Sequence, residues 1–255
     1  LIKNLYSYRE LLKSNVKKEI RGKYKGSFLG ILWSFLNPLL QVAVYAIVFP
    51  YIMRVETPNY LQYLIVGIIP WTFFITVINQ GMIAVRMNAG IIKKVYFPRE
   101  ILPISVAISG LVNFFISCII VLIFCVFGGL GISWHLILLP LIALIQFIFT
   151  LGLVLALSAI NIYIKDTEYI VQFIINMLFY ATPILYPATL FPEKIRWVLY
   201  LNPLTGIIDA YRDIFMYHQM PGLMSILYLV VVAVIIFFVG LAIFRKLEKG
   251  FAEEL

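Results

Sequence analysis

Charged side chains are missing from six windows of the chain: 26–53, 57–85, 101–164, 169–192, 197–208 and 214–244. A charge at the centre of a membrane helix costs about 2.5–3.5 kcal/mol on insertion scales, so long charge-free windows mark spans. About 20 residues, rising ~1.5 Å each, cross the hydrocarbon. On that measure the windows predict six membrane helices, at 26–53, 61–85, 101–127, 136–164, 169–183 and 222–244. The long window 101–164 holds two of them. Gly128, Gly129, Gly131, Ser133 and Trp134 mark the break, because glycines loosen a helix and Trp prefers the interface. Window 197–208 is too short to cross. Pro183, Pro187, Pro192, Asn202-Pro203 and Pro221-Gly222 break up its surroundings. Segment 184–220 therefore predicts short re-entrant helices packed against protein.

The first 25 residues follow a different pattern. Leu5, Tyr8, Leu12, Val16 and Ile20 recur at helical spacing, and Lys3, Arg9, Lys13, Lys17, Lys18 and Arg21 fill the other faces. This predicts an amphipathic helix over 1–25 lying in the membrane interface. Its net charge is +6 through Lys25, and each basic residue near an anionic leaflet contributes about 1 kcal/mol. At 21–33 a surface helix turns into a crossing one. Arg21, Lys23 and Lys25 either anchor that turn or meet a phosphate on a lipid head group.

Six crossings put both termini on one side. Sixteen of the twenty Lys and Arg fall in 1–25, 86–100, 165–168 and 245–255, so those segments are expected to be cytoplasmic. The composition agrees with the class: 63% hydrophobic and 13% charged over 255 residues excludes a soluble globule. The expected fold is an all-α polytopic membrane protein in one domain, with 245–255 as a cytoplasmic tail. The net charge of +8 reflects topology and lipid contact, and nucleic acid is not an expected partner. No cleavable signal peptide is expected, since the first span follows a basic helix and lacks a small-residue cleavage site. Cys118 and Cys125, seven apart on one predicted helix, lie ~10 Å apart along the axis and cannot bridge.

Chemistry is sparse. The sequence contains no G-x-x-x-x-G-K-[ST], H-E-x-x-H, C-x-x-C or G-x-S-x-G. No catalytic residue, metal or cofactor is expected in this chain, and His135 and His218 are far apart. No Asp or Glu sits mid-span, which argues against a proton-driven carrier and places any energy source outside the chain. In segment 86–100, Ile91, Ile92, Val95 and Tyr96 can share one face of a short helix that Pro98 stops. Such a patch needs a cover, either a partner or the bilayer surface. Trp33, Tyr45, Tyr51, Trp71, Phe73, Phe74, Phe179, Tyr180 and Tyr186 are candidates for a conduit that stacks on sugar rings, or for an interfacial aromatic belt. Asp209, Arg212 and Asp213 are spaced to pair on one helix.

The series Arg21, Lys23-Tyr24-Lys25, Ser27, Leu29-Gly30, Leu32-Trp33 and Asn37-Pro38-Leu39 resembles the permease subunit of the ABC-2-type polysaccharide exporters, which serve O-antigen, capsule and wall teichoic acid. Further matches are Gly67-Ile68-Ile69-Pro70-Trp71, Tyr163-Ile164-Lys165-Asp166, Thr182-Pro183-Ile184-Leu185-Tyr186-Pro187, Asn202-Pro203-Leu204 and Phe244-Arg245-Lys246-Leu247-Glu248. Lys23, Lys165 and Thr182 stand where the family usually has Arg, Arg and Ser.

The resemblance implies a half-transporter in a bacterial cytoplasmic membrane. A second copy would complete the pore, and two separate ABC ATPase subunits would bind Mg-ATP. The coupling helix would lie at 88–99, with Gly90, Ile91, Ile92, Lys93, Lys94 and Tyr96. The cargo would be a polymer on undecaprenyl diphosphate, its diphosphate met by Arg21, Lys23 and Lys25. Trp33, Tyr45, Phe73, Phe74, Phe179 and Tyr180 would line the channel. Pro183, Tyr186, Asp209 and Arg212 would gate the outer mouth. Two alternatives remain. One is an ABC-2 permease for a small lipid or drug. The other is a membrane enzyme acting on polyprenyl phosphate, for which the cytoplasmic acids (Glu10, Glu19, Glu100, Asp166 and Glu168 before the tail) are few.

Overall fold

The computed structural model describes residues 6–22, 28, 30–53, 58–95 and 97–254. Lys23, Lys25 and Tyr96 fall outside the described residues, so their expected roles are not addressed by it. Among the described residues the elements are all helical. They run α1 (Arg9–Gly22), α2 (Trp33–Met53), α3 (Tyr60–Met87), α4 (Ala89–Ile92), α5 (Ile101–Phe127), α6 (Leu139–Tyr163), α7 (Thr167–Ala181), α8 (Glu193–Arg196), α9 (Pro203–Arg212), α10 (Leu223–Leu247) and α11 (Phe251–Glu254).

Four helical stretches are long and apolar enough to cross a membrane: Tyr60–Met87, Ile101–Phe127, Trp134–Tyr163 and Leu223–Gly250. They coincide with the expected spans 61–85, 101–127, 136–164 and 222–244. The other two expected spans, 26–53 and 169–183, fall on α2 and α7. Helix α2 has 21 residues, none of them charged, with an apolar stretch at Leu36–Phe49. The 15 residues of α7 extend only about 22 Å, against a hydrocarbon core of about 30 Å.

Local chemistry sets several boundaries. After α5, Gly129 and Gly131 adopt φ of 80° and 76°, a left-handed turn that side chains resist. Helix α7 ends just before Thr182-Pro183, where proline withdraws a donor. Helix α9 starts with Asn202 accepting from the Leu204 amide at 3.1 Å and Pro203 in the first turn. It passes into a π-turn at Asp213–Tyr217 that closes at His218.

Helix α3 is the axis of the molecule. Leu64, Ile68, Val77 and Val85 are fully enclosed, and α5, α6, α2 and α9 pack around them. The most extensive pairing is α6 with α10, and it depends on absent side chains. A methyl on Gly152 would fall 2.6 Å from the Phe237 backbone, and one on Gly240 would overlap the Gly152 carbonyl. Small residues bring helix backbones together in membranes, where lipid removes the hydrophobic drive for association. Pro70 lies inside α3; its carbonyl accepts from Gln146 Nε2 at 2.8 Å, and Gln146 Oε1 accepts from the Tyr211 hydroxyl at 2.9 Å.

Helix α1 lies against α5, with Tyr8, Leu11 and Leu12 toward the core. Cys118 and Cys125 are buried free thiols. The expected tail 245–255 is instead folded back: Phe251 is fully buried against Phe244 and Tyr163. The Tyr163 hydroxyl donates to the Leu247 carbonyl at 2.8 Å.

Candidate functional site

Segment 182–187 leaves α7 as an irregular stretch whose carbonyls need donors. Arg212, projecting from the last turn of α9 and 2% exposed, supplies them. Its Nη1 donates to the Pro183 carbonyl at 2.8 Å and to Asp209 Oδ1 at 3.2 Å, and its Nη2 donates to the Ile184 carbonyl at 3.1 Å. The guanidinium carbon lies 3.5 Å from the centre of the Tyr63 ring. A planar fork that stacks as well as donates is an arginine property, and lysine lacks it. Two tyrosines of α3 complete the knot. The Tyr60 hydroxyl donates to the Leu185 carbonyl at 2.7 Å, and that of Tyr63 to the Tyr186 carbonyl at 2.8 Å. Gly67 leaves room for Arg212, since a methyl there would lie 3.0 Å from Nη2.

The four residues expected at a gate, Pro183, Tyr186, Asp209 and Arg212, thus meet in one cluster. Sequence reasoning missed Tyr60, Tyr63 and Gly67. Their signal was a pair of tyrosines three apart and a small residue one turn on. Beside the cluster lies a cleft of about 330 Å³ lined by Tyr63, Tyr200, Asp209, Arg212, Asp213 and Tyr217. Asp209 Oδ2 accepts from the Tyr200 hydroxyl at 3.0 Å. Burial raises the Asp209 carboxyl above its ordinary range, opposed by Arg212 and by the bond from Tyr200. Burial likewise raises Asp213, opposed by a hydrogen bond from Gln219.

The six residues expected to line the channel divide by exposure. Phe73, Phe74 and Phe179 are buried within the single chain. Phe73 faces Phe114 at 5.5 Å between ring centres, Phe74 faces Phe149 at 6.2 Å, and Phe179 faces Trp71 at 5.5 Å. Tyr45 is half-buried and links α2 to α7 through Phe179. Trp33 and Tyr180 are exposed. The outward face of α7 leaves Tyr169, Phe173, Ile174, Met177 and Tyr180 uncovered, interspersed with exposed Gln172 and Asn176.

At the opposite end, α4 forms one turn after α3. The expected apolar face of Ile91, Ile92 and Val95 is split: Ile92 turns into the core, while Ile91 and Val95 point outward. Four residues make barely one turn, so near neighbours fall on opposite sides. Gly90, Lys93 and Lys94 are exposed beside Ile91. Arg86, in the last turn of α3, pairs with Glu168 of α7, and Asn161 Nδ2 donates to the same carboxylate oxygen at 3.1 Å. Arg21 is exposed at the end of α1. Nearby, Lys18, Glu19 and Gly22 border a cleft of about 390 Å³ whose other wall is Gln80, Ala84 and Met87. Among the described residues, no three His, Cys, Asp or Glu side chains converge as metal ligands would.

The model of the ABC-2 type transporter family matches residues 10–216. The chain belongs to that family. It is 38% identical over 257 residues to the O-antigen export system permease protein RfbA of Myxococcus xanthus, covering 100% of this chain and 99% of the relative. An RfbA of Klebsiella pneumoniae is 38% identical over 255 residues, covering 99% and 97%. The polysialic acid transport protein KpsM of Escherichia coli is 23% identical over 240 residues, covering 91% and 92%. These relatives are named as permease and transport proteins, and this ABC-2 transporter, with four helical stretches long and apolar enough to cross, is a multi-pass membrane protein. The matched region takes in α1 through the π-turn, and so includes the Arg212 knot and α4.

Proposed function

We propose that this chain is the transmembrane subunit of an ATP-driven exporter that moves a lipid-diphosphate-linked polysaccharide across the bacterial cytoplasmic membrane. The observation that carries the proposal is the end-to-end likeness to O-antigen export permeases. In this reading α2 and α7 are the first and fifth crossings; the 21 residues of α2 reach across, and the bilayer thins locally around the shorter α7. Both termini are cytoplasmic, as the distribution of Lys and Arg favours. Two copies assemble, each on one ABC ATPase subunit that binds Mg-ATP.

The parts then take roles. Ile91, Gly90, Lys93 and Lys94 on α4 meet the ATPase. Arg21, with Lys23 and Lys25, meets the diphosphate, where compact cations are effective partners. Trp33 and Tyr180, already exposed, offer flat faces to the sliding glycan; buried Phe179 packs edge-on against Tyr180. The Arg212 knot holds 182–187 closed at the outer mouth. Deleting the gene should remove surface polysaccharide while lipid-linked polymer accumulates in the cytoplasm, and the intact gene should restore export. Normal surface polymer in the deletion strain would overturn the proposal.

A further inference from the structure

Helix α7 is tied to its neighbours at both ends. At one end the stretch 182–187, which follows it, is gripped by Tyr60 and Tyr63 of α3 and by Arg212. At the other, Glu168 in its first turn pairs with Arg86 in the last turn of α3. Between the ties the packing is one seam: Thr167, Val171, Ile175 and Phe179, spaced by four, are the buried residues of α7. A helix seated along one seam can slide as a body while its neighbours keep their own packing.

The Arg86 pair is built to a set geometry. Asn161, fully buried on α6, donates from Nδ2 to Glu168 Oε1 at 3.1 Å and to the Met82 carbonyl of α3 at 3.3 Å. One carboxylate oxygen therefore takes both Asn161 and Arg86. The charged side chains remain 37% and 32% exposed, so the pair adds little stability. What it adds is a fixed relation between the end of α3 and the start of α7.

The end of α3 leads straight into α4. The Asn88 amide donates to the Val85 carbonyl and the Ile92 amide to the Asn88 carbonyl, so helical bonding runs across the junction. Asn88 Nδ2 also donates to the Ala84 carbonyl at 2.8 Å. No slack loop separates Ile91 from Arg86, and a push on α4 displaces the guanidinium.

We propose that Arg86 and Glu168 are positioning residues for export. They pass a movement of α4, imposed by the ABC ATPase, to α7 and so to Tyr180 and the 182–187 stretch that α7 carries. The link rests on the exporter reading above, with α4 as the ATPase contact.

Proteoliposomes holding the full chain, its ATPase and a lipid-diphosphate-linked glycan allow hydrolysis and glycan transfer to be read separately. Arg86→Gln and Glu168→Gln each remove one charge, and the second keeps an oxygen for Asn161. Each should lower glycan moved per ATP at least about fivefold, with hydrolysis and melting as in wild type. The double variant should lose no more than either single one, as two residues acting as a unit do. Arg86→Lys, which keeps the charge, should recover part of the transfer. Wild-type transfer per ATP in either single variant, or losses that multiply in the double, would overturn the link. So would hydrolysis or melting that falls in step with transfer, since the pair would then serve docking or the fold. Ile91→Asp separates the two readings. If it stops transfer while the Gln variants do not, the α4 contact stands and the link alone fails. If Ile91→Asp transfers normally, the α4 contact fails and the link with it.

Discussion

Replacing Arg212 with Met keeps most of the volume and removes the fork. The variant loses donors to Pro183, Ile184 and Asp209 and the stack on Tyr63. Two carbonyls that are buried beside α3 are then left without partners, at about 1–3 kcal/mol each. The Asp209 pair contributes less, because that side chain is 31% exposed and water can replace the guanidinium. The sum is comparable to breaking a buried pair, about 3–5 kcal/mol. Arg212→Met should therefore lower the melting temperature of the purified protein sharply and expose 182–187 to limited proteolysis. Arg212→Lys should recover only part of the loss, since one ammonium cannot serve both carbonyls and the ring. Asp209→Asn should be mild by comparison. An Arg212→Met protein with unchanged melting and an uncut 182–187 segment would refute the claim that this residue holds the segment in place.

Gly240→Leu forces a side chain into the Gly152 backbone and should destabilise the α6–α10 pair by about 1–3 kcal/mol or more, read as a fall in melting temperature. Gln146→Leu leaves the Pro70 carbonyl and the Tyr211 hydroxyl without each other's bridge; it should cost about 1–3 kcal/mol in the same assay, and Tyr211→Phe should cost less. Ile91→Asp and Ile92→Asp should separate cleanly: the first leaves melting unchanged and stops ATPase-driven export, whereas the second unfolds the α4 end of the helix bundle, because Ile92 is buried and Ile91 is not.

The long spans were legible because a charge-free window is a direct physical statement about hydrocarbon. Helices α3, α5, α6 and α10 fall where those windows predict them. Helix α7 was read two residues too far along the chain, at 169–183 in place of Thr167–Ala181, since Pro183 is a visible stop but the last helical bond is already made by the Thr182 amide to the Leu178 carbonyl. The spacing of Asp209 and Arg212 announced a pair; that the guanidinium also grips 183–184 depends on tertiary contacts that spacing does not encode. The division between Ile91 and Ile92 was hidden for a simpler reason, that one helical turn carries no periodic record. Phe251 was concealed by the Lys and Glu around it, which read as a solvated tail. The buried rings of Phe73, Phe74 and Phe179 were indistinguishable from exposed Tyr180, because an apolar helix in lipid has no polar face to mark its inside.

The central claim is that this chain provides the membrane path and a separate ATPase provides the energy. Proteoliposomes holding the chain and its ATPase, given a lipid-diphosphate-linked glycan on one face, test it most directly. The account predicts ATP-dependent appearance of glycan on the opposite face, with neither transport nor hydrolysis when this chain is reconstituted alone. Transport that needs no ATPase, or ATP hydrolysis by the isolated chain, would contradict it.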